Sequence, residues 1–139
     1  MTRSRASAKK AGTSMETASA GYLATALKAP EIERRRLNGR YDRGDLTGVK
    51  TIRGAAVVVE VKDYNGKVMV KPWLDEAETE RGNADAALAV VVFKRARIPY
   101  SNPGEQGVLM TLATLAALLE GGPDDRPVVV VDPMTEVAA

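Results

Sequence analysis

Valine-rich runs along the chain predict the strands of a central sheet. Residues 55–63 begin with an unbroken series of small and beta-branched residues, which is typical of a buried strand, and residues 88–93 form a second such run. Residues 46–53 come just before the first run, and a turn at Gly54 predicts that the two stretches pair as an antiparallel hairpin. Residues 68–70 are a candidate third strand.

Helical patterns alternate with these strands. A first helix is predicted over residues 13–28, because capping residues stand at its start and Pro30 follows its end. A second helix is predicted from Pro72 to about residue 87, and a third within residues 108–120, after a short strand. This order predicts a mixed α/β domain with a small mixed central β-sheet flanked by helices.

The strand predicted at residues 55–63 ends in charged side chains. Because side chains alternate between the two faces of a strand, Glu60 and Lys62 share one face with Val58. Charged groups on a core strand are costly unless something compensates them, and a divalent cation compensates carboxylates. The alternative is a plain cross-strand charge pair at a sheet edge.

Two more carboxylates are candidates for the same site. Asp45 follows a glycine just before the hairpin, where it is either a ligand or only a turn residue. On the first helix, Glu16 projects along the same line as Leu23, so it either faces a functional cleft or reaches solvent from the helix end. A carboxylate in the first turn is also favoured by the helix dipole alone.

Composition limits which metal such carboxylates would bind. The 139 residues suffice for about one domain, and 45% of them are hydrophobic. The chain has no Cys and no His, which excludes thiolate and imidazole ligands and a histidine base. A bound metal would therefore be held by oxygen, which favours Mg²⁺, Mn²⁺ or Ca²⁺ over Zn²⁺.

Charge is distributed unevenly. Residues 1–40 carry nine Lys and Arg against three Glu, whereas residues 41–139 carry eleven against fifteen acidic residues. We expect residues 1–12 to be a disordered basic arm, which either contacts a polyanion or only aids solubility. No apolar stretch has the length of a membrane helix, and the basic N-terminal residues are not followed by the apolar core of a signal peptide. A cytoplasmic protein is therefore expected.

Together, Glu16, Asp45, Glu60 and Lys62 supply what a metal-dependent phosphodiesterase needs. Oxygen ligands hold a cation against the scissile phosphate, and a positive group stabilises charge or orients the attacking water. The backbone carbonyl of Val61 is a further candidate ligand.

In the order and spacing of five motifs, residues 12–120 resemble the PD-(D/E)xK nuclease superfamily, and within it small phage-type endonucleases related to Holliday-junction resolvases. The motifs are Gly12-Thr13-x-x-Glu16, Asp42-Arg43-Gly44-Asp45-Leu46-x-Gly48, Val59-Glu60-Val61-Lys62, Trp73-Leu74-x-Glu76-Ala77 and Val90-Val91-Val92-x-Lys94-Arg95. The resemblance implies a restriction-endonuclease-like α-β-β-β-α-β core, a Mg²⁺ or Mn²⁺ cofactor and a homodimer acting on branched DNA. It implies metal binding by Asp45 and Glu60, with Glu16 as an accessory ligand and Lys62 as the catalytic lysine.

The chain departs from the family pattern in two places. Gly44 stands where the superfamily often has Pro, and the Gln-x-x-x-Tyr motif of recombination exonucleases is replaced by Glu76 and Glu80. The second departure argues against an exonuclease of that branch. Residues 123–139 match no recognised pattern and are expected to be a tail or an edge strand.

The sequence thus predicts a nuclease domain over residues 13–122. Its expected activity is that of a metal-dependent DNA endonuclease of the junction-resolving type. If a phage encodes the protein, it is expected in the host cytoplasm. Two alternatives stay open: a nicking or restriction-type endonuclease acting on linear duplex, and a non-catalytic DNA-binding or phage assembly protein with the nuclease fold. Several basic residues are candidates for phosphate contacts, or are simply solvated: Arg34, Arg35, Arg36, Lys94 and Arg95.

Overall fold

The computed structural model describes residues 3–36 and 41–122. In this part of the chain the elements are α1 (Arg5–Ala26), β1 (Glu33–Arg34), β2 (Leu46–Thr47), β3 (Val57–Lys62), α2 (Val70–Ala84), β4 (Leu88–Phe93), a 3-10 turn (Pro103–Glu105), β5 (Gly107–Leu109) and α3 (Leu112–Glu120). The expected tail or edge strand at residues 123–139 lies outside the described residues.

The main sheet of the described chain has the strand order β3-β4-β5. Strands β3 and β4 are parallel, with Glu60 opposite Val91, and β5 runs antiparallel to β4. A parallel pair needs a crossover connection, and α2 provides it. The predicted fold class, a mixed α/β domain with a small mixed sheet, is confirmed.

Each face of the sheet packs against different helices. Val59 and Val61 belong to a buried cluster that also contains Met15 of α1 and, at its border, Leu118 of α3. On the opposite face, Trp73 of α2 packs in a second cluster. Because side chains alternate along β3, this arrangement turns Glu60 and Lys62 toward the α2 side of the sheet.

The first helix is longer than predicted. It begins at Arg5, because Ser4 caps it: the Ser4 hydroxyl accepts a hydrogen bond from the Ser7 N–H at 3.1 Å. The expectation of a disordered arm is therefore wrong for residues 5–12, whose Ala, Lys and Arg are good helix formers. Just before the helix, Arg3 donates to the Asp63 carbonyl at 3.0 Å and to its carboxylate at 3.1 Å, which anchors this end beside the turn after β3.

The predicted hairpin forms only in part. The Asp45 N–H donates to the Val59 carbonyl of β3. Lys50 forms an antiparallel bridge with Ala56, the residue just before β3. Regular strand over residues 46–53 is limited to Leu46–Thr47, which pairs with β1 instead. Gly48 ends it at φ +80°, and a Cβ there would lie 2.8 Å from the Glu31 carbonyl oxygen.

The candidate third strand at residues 68–70 is not a strand. Val70 already begins α2, so Pro72 lies in the first turn, where its missing N–H costs no helical hydrogen bond. The helix ends at Ala84 rather than near residue 87, because Asp85 adopts a left-handed conformation at φ 51°.

Candidate metal centre

The carboxyl end of β3 opens into a cleft of about 820 Å³. The predicted site residues, which lie far apart in the sequence, all line this cleft: Glu16, Asp45, Glu60, Val61 and Lys62. They arrive from α1, from the segment before β2 and from β3. The structure therefore brings the predicted acidic residues and the lysine to one place.

Asp45 is held against the edge of β3 that faces away from β4. Its N–H donates to the Val59 carbonyl at 2.9 Å, and its Oδ2 accepts from the Val61 N–H at 2.7 Å. Gly44 makes this approach possible at φ +93°, since a Cβ would meet Val58 Cγ1 at 2.8 Å. The glycine at the position where the nuclease pattern often has proline thus has a steric reason in this chain.

The ionisation of Asp45 is opposed by its surroundings. Burial and the negative charge of Glu60 raise the pKa of Asp45 to about 8, with a smaller effect from Glu16, while the Val61 N–H acts in the opposite direction. Carboxyl groups that compete in this way either share protons or bind a cation. Burial likewise raises the pKa of Glu60 above its ordinary value.

Lys62 lies between two carboxylates. Its Nζ is 3.3 Å from Glu60 Oε1 and 2.8 Å from Glu76 Oε2. Burial opposes its charge, but the hydrogen bond to Glu76 and the charge of Glu60 prevail and raise the pKa of Lys62 above its ordinary value. Lys62 is therefore a permanent positive charge, suited to stabilising an anion rather than to abstracting a proton.

A second group of carboxylates extends from Glu60 toward α2. One oxygen of each of Asp42, Glu60, Glu76 and Glu80 lies within 4.8 Å of the others, so this cluster could hold a metal ion. The loop that carries Asp42 is tied down on both sides: Asp42 Oδ1 accepts from the Gly44 N–H at 3.0 Å, and the Asp42 carbonyl accepts from Asn83 Nδ2 at 2.9 Å.

Glu80 is the most unusual member of this cluster. It is 1% exposed, and within the described residues no donor reaches either of its carboxylate oxygens. Burial, together with the adjacent carboxyl groups of Glu60 and Asp42, raises the pKa of Glu80 to about 11. Such a group is neutralised either by a proton or by a cation.

Sequence reasoning did not select Asp42, Glu76 or Glu80 as ligands. One signal was present in the chain: the positions of Trp73, Ala77 and Glu80 follow helical spacing. All three are buried in the structure. A glutamate that continues an apolar stripe is a candidate for a functional role.

The other predicted residues have mixed placements. Glu16 is half-buried and accepts a 2.9 Å ion-pair hydrogen bond from Arg34 Nε, so Arg34 reaches the rim of the site by binding a protein carboxylate. Arg35 and Arg36 line a separate cleft with Thr17 on the α1–β1 side.

Lys94 and Arg95 follow β4 and line a further cleft of about 410 Å³ with Arg3 and Arg97. Arg3 and Asp63 line both this basic cleft and the cleft that contains Asp45. The two clefts therefore lie side by side.

Comparison of this chain with protein-family models, with curated proteins and with solved structures finds no match. Among residues 3–36 and 41–122, no helix combines the length and the apolar character needed to cross a membrane.

Proposed function

We propose that this chain is a divalent-metal-dependent DNA endonuclease, with Mg²⁺ or Mn²⁺ as its cofactor and branched DNA as its substrate. The observation that carries the proposal is the convergence of Glu16, Asp45 and Glu60 on one cleft, beside the charged amine of Lys62. The order of the motifs along the chain, which resembles the PD-(D/E)xK nucleases, supports the same activity.

The donor set fits a hard cation. It consists of oxygens, and Glu60 Oε2 is buried without a hydrogen-bond partner among the described residues. The ligands would be Asp45, Glu60 and the Val61 carbonyl, with Glu16 as an accessory. In a strand the carbonyl and N–H of one residue leave on the same edge, and the Val61 N–H already points to Asp45.

When bound, the cation supplies charge neutralisation at the phosphate and lowers the pKa of the attacking water. The protein supplies the arrangement around it. Lys62 stays charged, and so it can stabilise the phosphate oxygens as negative charge develops on them during hydrolysis. Asp45 is fixed by two backbone contacts to β3, which limits its movement relative to Glu60.

The basic cleft formed by Arg3, Lys94, Arg95 and Arg97 supports a polyanionic substrate. It adjoins the metal cleft, so a strand whose scissile phosphate lies at Lys62 can continue across these cations. The homodimer is part of the same proposal. It is supported by the exposed leucines of α3, which share one face of the helix: Leu112, Leu115 and Leu119.

The activity is tested with labelled four-way junction, flap and linear duplex DNA, each incubated with the purified protein in Mg²⁺ or EDTA. We expect Mg²⁺-dependent cutting of the junction, and at least a ~100-fold loss of rate in Asp45→Asn and Glu60→Gln. Glu120→Gln, an exposed change at the end of α3, is the matched control and should cut normally.

Each other outcome has a defined meaning. Equal cutting of the junction and its component duplexes would favour a restriction-type or nicking enzyme. DNA binding without any cutting would favour the non-catalytic alternative. Cutting at the wild-type rate by either carboxylate variant would show that the site is wrong.

A further inference from the structure

We propose that the carboxylates of Asp42, Glu60, Glu76 and Glu80 form a second divalent-cation site, distinct from the one at Asp45, which shares Glu60 with it and fastens α2 to the sheet. The ligand is a hard cation of the Mg²⁺ and Ca²⁺ class. The proposal concerns cation binding in the absence of DNA, so it does not depend on nuclease activity.

Proximity is the first observation. Four carboxylate oxygens, one from each residue, lie within 4.8 Å of one another. They come from three elements: the loop before β2, the end of β3 and the inner face of α2. Oxygen ligands around Ca²⁺ lie at about 2.3–2.6 Å from the ion, so opposite ligands are about 5 Å apart. The spacing of these oxygens is compatible with one shared ion.

The second observation is independent of that spacing and comes from burial. Glu80 is 1% exposed, and neither of its oxygens has a hydrogen-bond partner among the described residues. Glu60 Oε2 is orphaned in the same way. Buried carboxylate oxygens are normally satisfied, because leaving them without a donor or a cation is costly. The two Glu80 oxygens contact the carboxyl groups of Glu60 and Asp42, which are acceptors and can satisfy them only by sharing a proton, whereas a cation satisfies all of these oxygens together.

Charge balance points to a divalent ion. Among residues 3–36 and 41–122, Lys62 pairs with Glu60 and Glu76, and no ion pair to Glu80 is found. When all four carboxyl groups are ionised, this one amine leaves an excess of negative charge between β3 and α2. A divalent cation removes most of that excess and reaches the oxygens that Lys62 leaves unpaired.

The site also has a way in. Glu80 lies at the closed inner end, whereas Asp42 is exposed and the Glu76 side chain is 42% exposed. Hydrated ions can therefore enter from the side of Asp42 and Glu76. Once bound, an ion would hold the glutamates of α2 against Glu60 and so fix the helix that also positions Lys62 through Glu76.

The test is calorimetric titration of the full-length, EDTA-stripped protein with Ca²⁺ and, separately, with Mg²⁺, without DNA. The wild type is expected to bind two ions per chain. Asp45→Asn should lose the first site and keep the second, whereas Glu80→Gln should keep the first and weaken the second by at least ~10-fold. Glu78→Gln, an exposed change on the same helix, is the control and should bind two ions.

Thermal unfolding gives a second readout. Ca²⁺ should raise the Tm of Asp45→Asn, which retains the second site, and should not raise that of Asp45→Asn combined with Glu80→Gln. If Glu80→Gln fails to fold, Asp42→Asn replaces it, because that change lies in an exposed loop and its amide oxygen can still accept from the Gly44 N–H. In that variant too, the second binding event should weaken.

The proposal is overturned if Glu80→Gln and Asp42→Asn bind both cations as tightly as the wild type. It is also overturned if the wild type binds a single ion that only Asp45→Asn abolishes, since Glu80 would then be neutralised by a proton. If binding depends on Glu80 but not on Asp45, the second site stands and the metal assignment of the proposed function fails.

Discussion

Replacing Asp45 by asparagine should make the metal-free protein more stable at alkaline pH while abolishing its activity. The change removes a carboxylate that is repelled by Glu60 and Glu16. It keeps an oxygen that can accept the hydrogen bond from the Val61 N–H, which is 2.7 Å in the wild type. The site would therefore lose charge repulsion without losing its backbone contact.

The direction follows from the pKa of Asp45, which is raised from 3.8 to about 8 in the folded protein. Between these values the folded chain holds a proton that the unfolded chain has lost, so stability falls as the pH rises from about 4 to about 8. At about 1.4 kcal/mol per pKa unit, the full effect is at most ~6 kcal/mol. Partial exposure of Asp45 reduces it through solvent screening, and we expect ~2–3 kcal/mol above pH 8.

The assay is urea unfolding in EDTA at pH 5 and at pH 9, for the wild type, Asp45→Asn and the control Glu120→Gln. The two proteins that keep Asp45, the wild type and Glu120→Gln, should lose stability between pH 5 and pH 9. Asp45→Asn should lose less stability over the same range. Mg²⁺ at pH 9 should stabilise the wild type more than the variant, because the cation takes the place of the proton. If Asp45→Asn is no more stable than the wild type at pH 9, Asp45 does not share its site with the other carboxylates.

Two further predictions concern the surroundings of the site. Gly44→Ala should destabilise the fold by ~1–3 kcal/mol in urea unfolding and displace Asp45, since residue 44 has φ +93° and a Cβ there would lie 2.8 Å from Val58 Cγ1. The control is Gly12→Ala, which should be neutral or stabilising because a Cβ at residue 12 would have no neighbouring atom within 4 Å. Lys94→Ala combined with Arg95→Ala should weaken DNA binding and lower the slope of log affinity against log salt by ~1–2, whereas an unchanged slope would show that the basic cleft does not contact phosphates.

Part of the fold could be predicted because it depends on local pattern. The valines of β3 and β4 identified buried strands, and the third predicted helix ends at residue 120 as expected, where Gly121 follows it at φ 90°. Limits of elements were less predictable. The start of α1 at Arg5 depends on the cap at Ser4, and the interruption after β2 depends on the close approach of Gly48 to Glu31.

The candidate site divides in the same way. Alternation along β3 placed Glu60 and Lys62 on one face, and the absence of His and Cys restricted any metal ligands to oxygen. By contrast, the pairing of Arg34 with Glu16 joins residues 18 positions apart through the packing of β1 beside α1. Sequence spacing carries no information about such a contact.

By itself, the sequence determined which side chains each strand and helix presents on each face, because that depends only on the periodicity of the backbone. The tertiary structure decided which faces meet. It set the inner face of α2 against the end of β3, and so placed Glu80 beside Glu60 and Glu76 beside Lys62. The physical reason is that burial and electrostatic coupling depend on distances through space, and only the packed chain defines those distances.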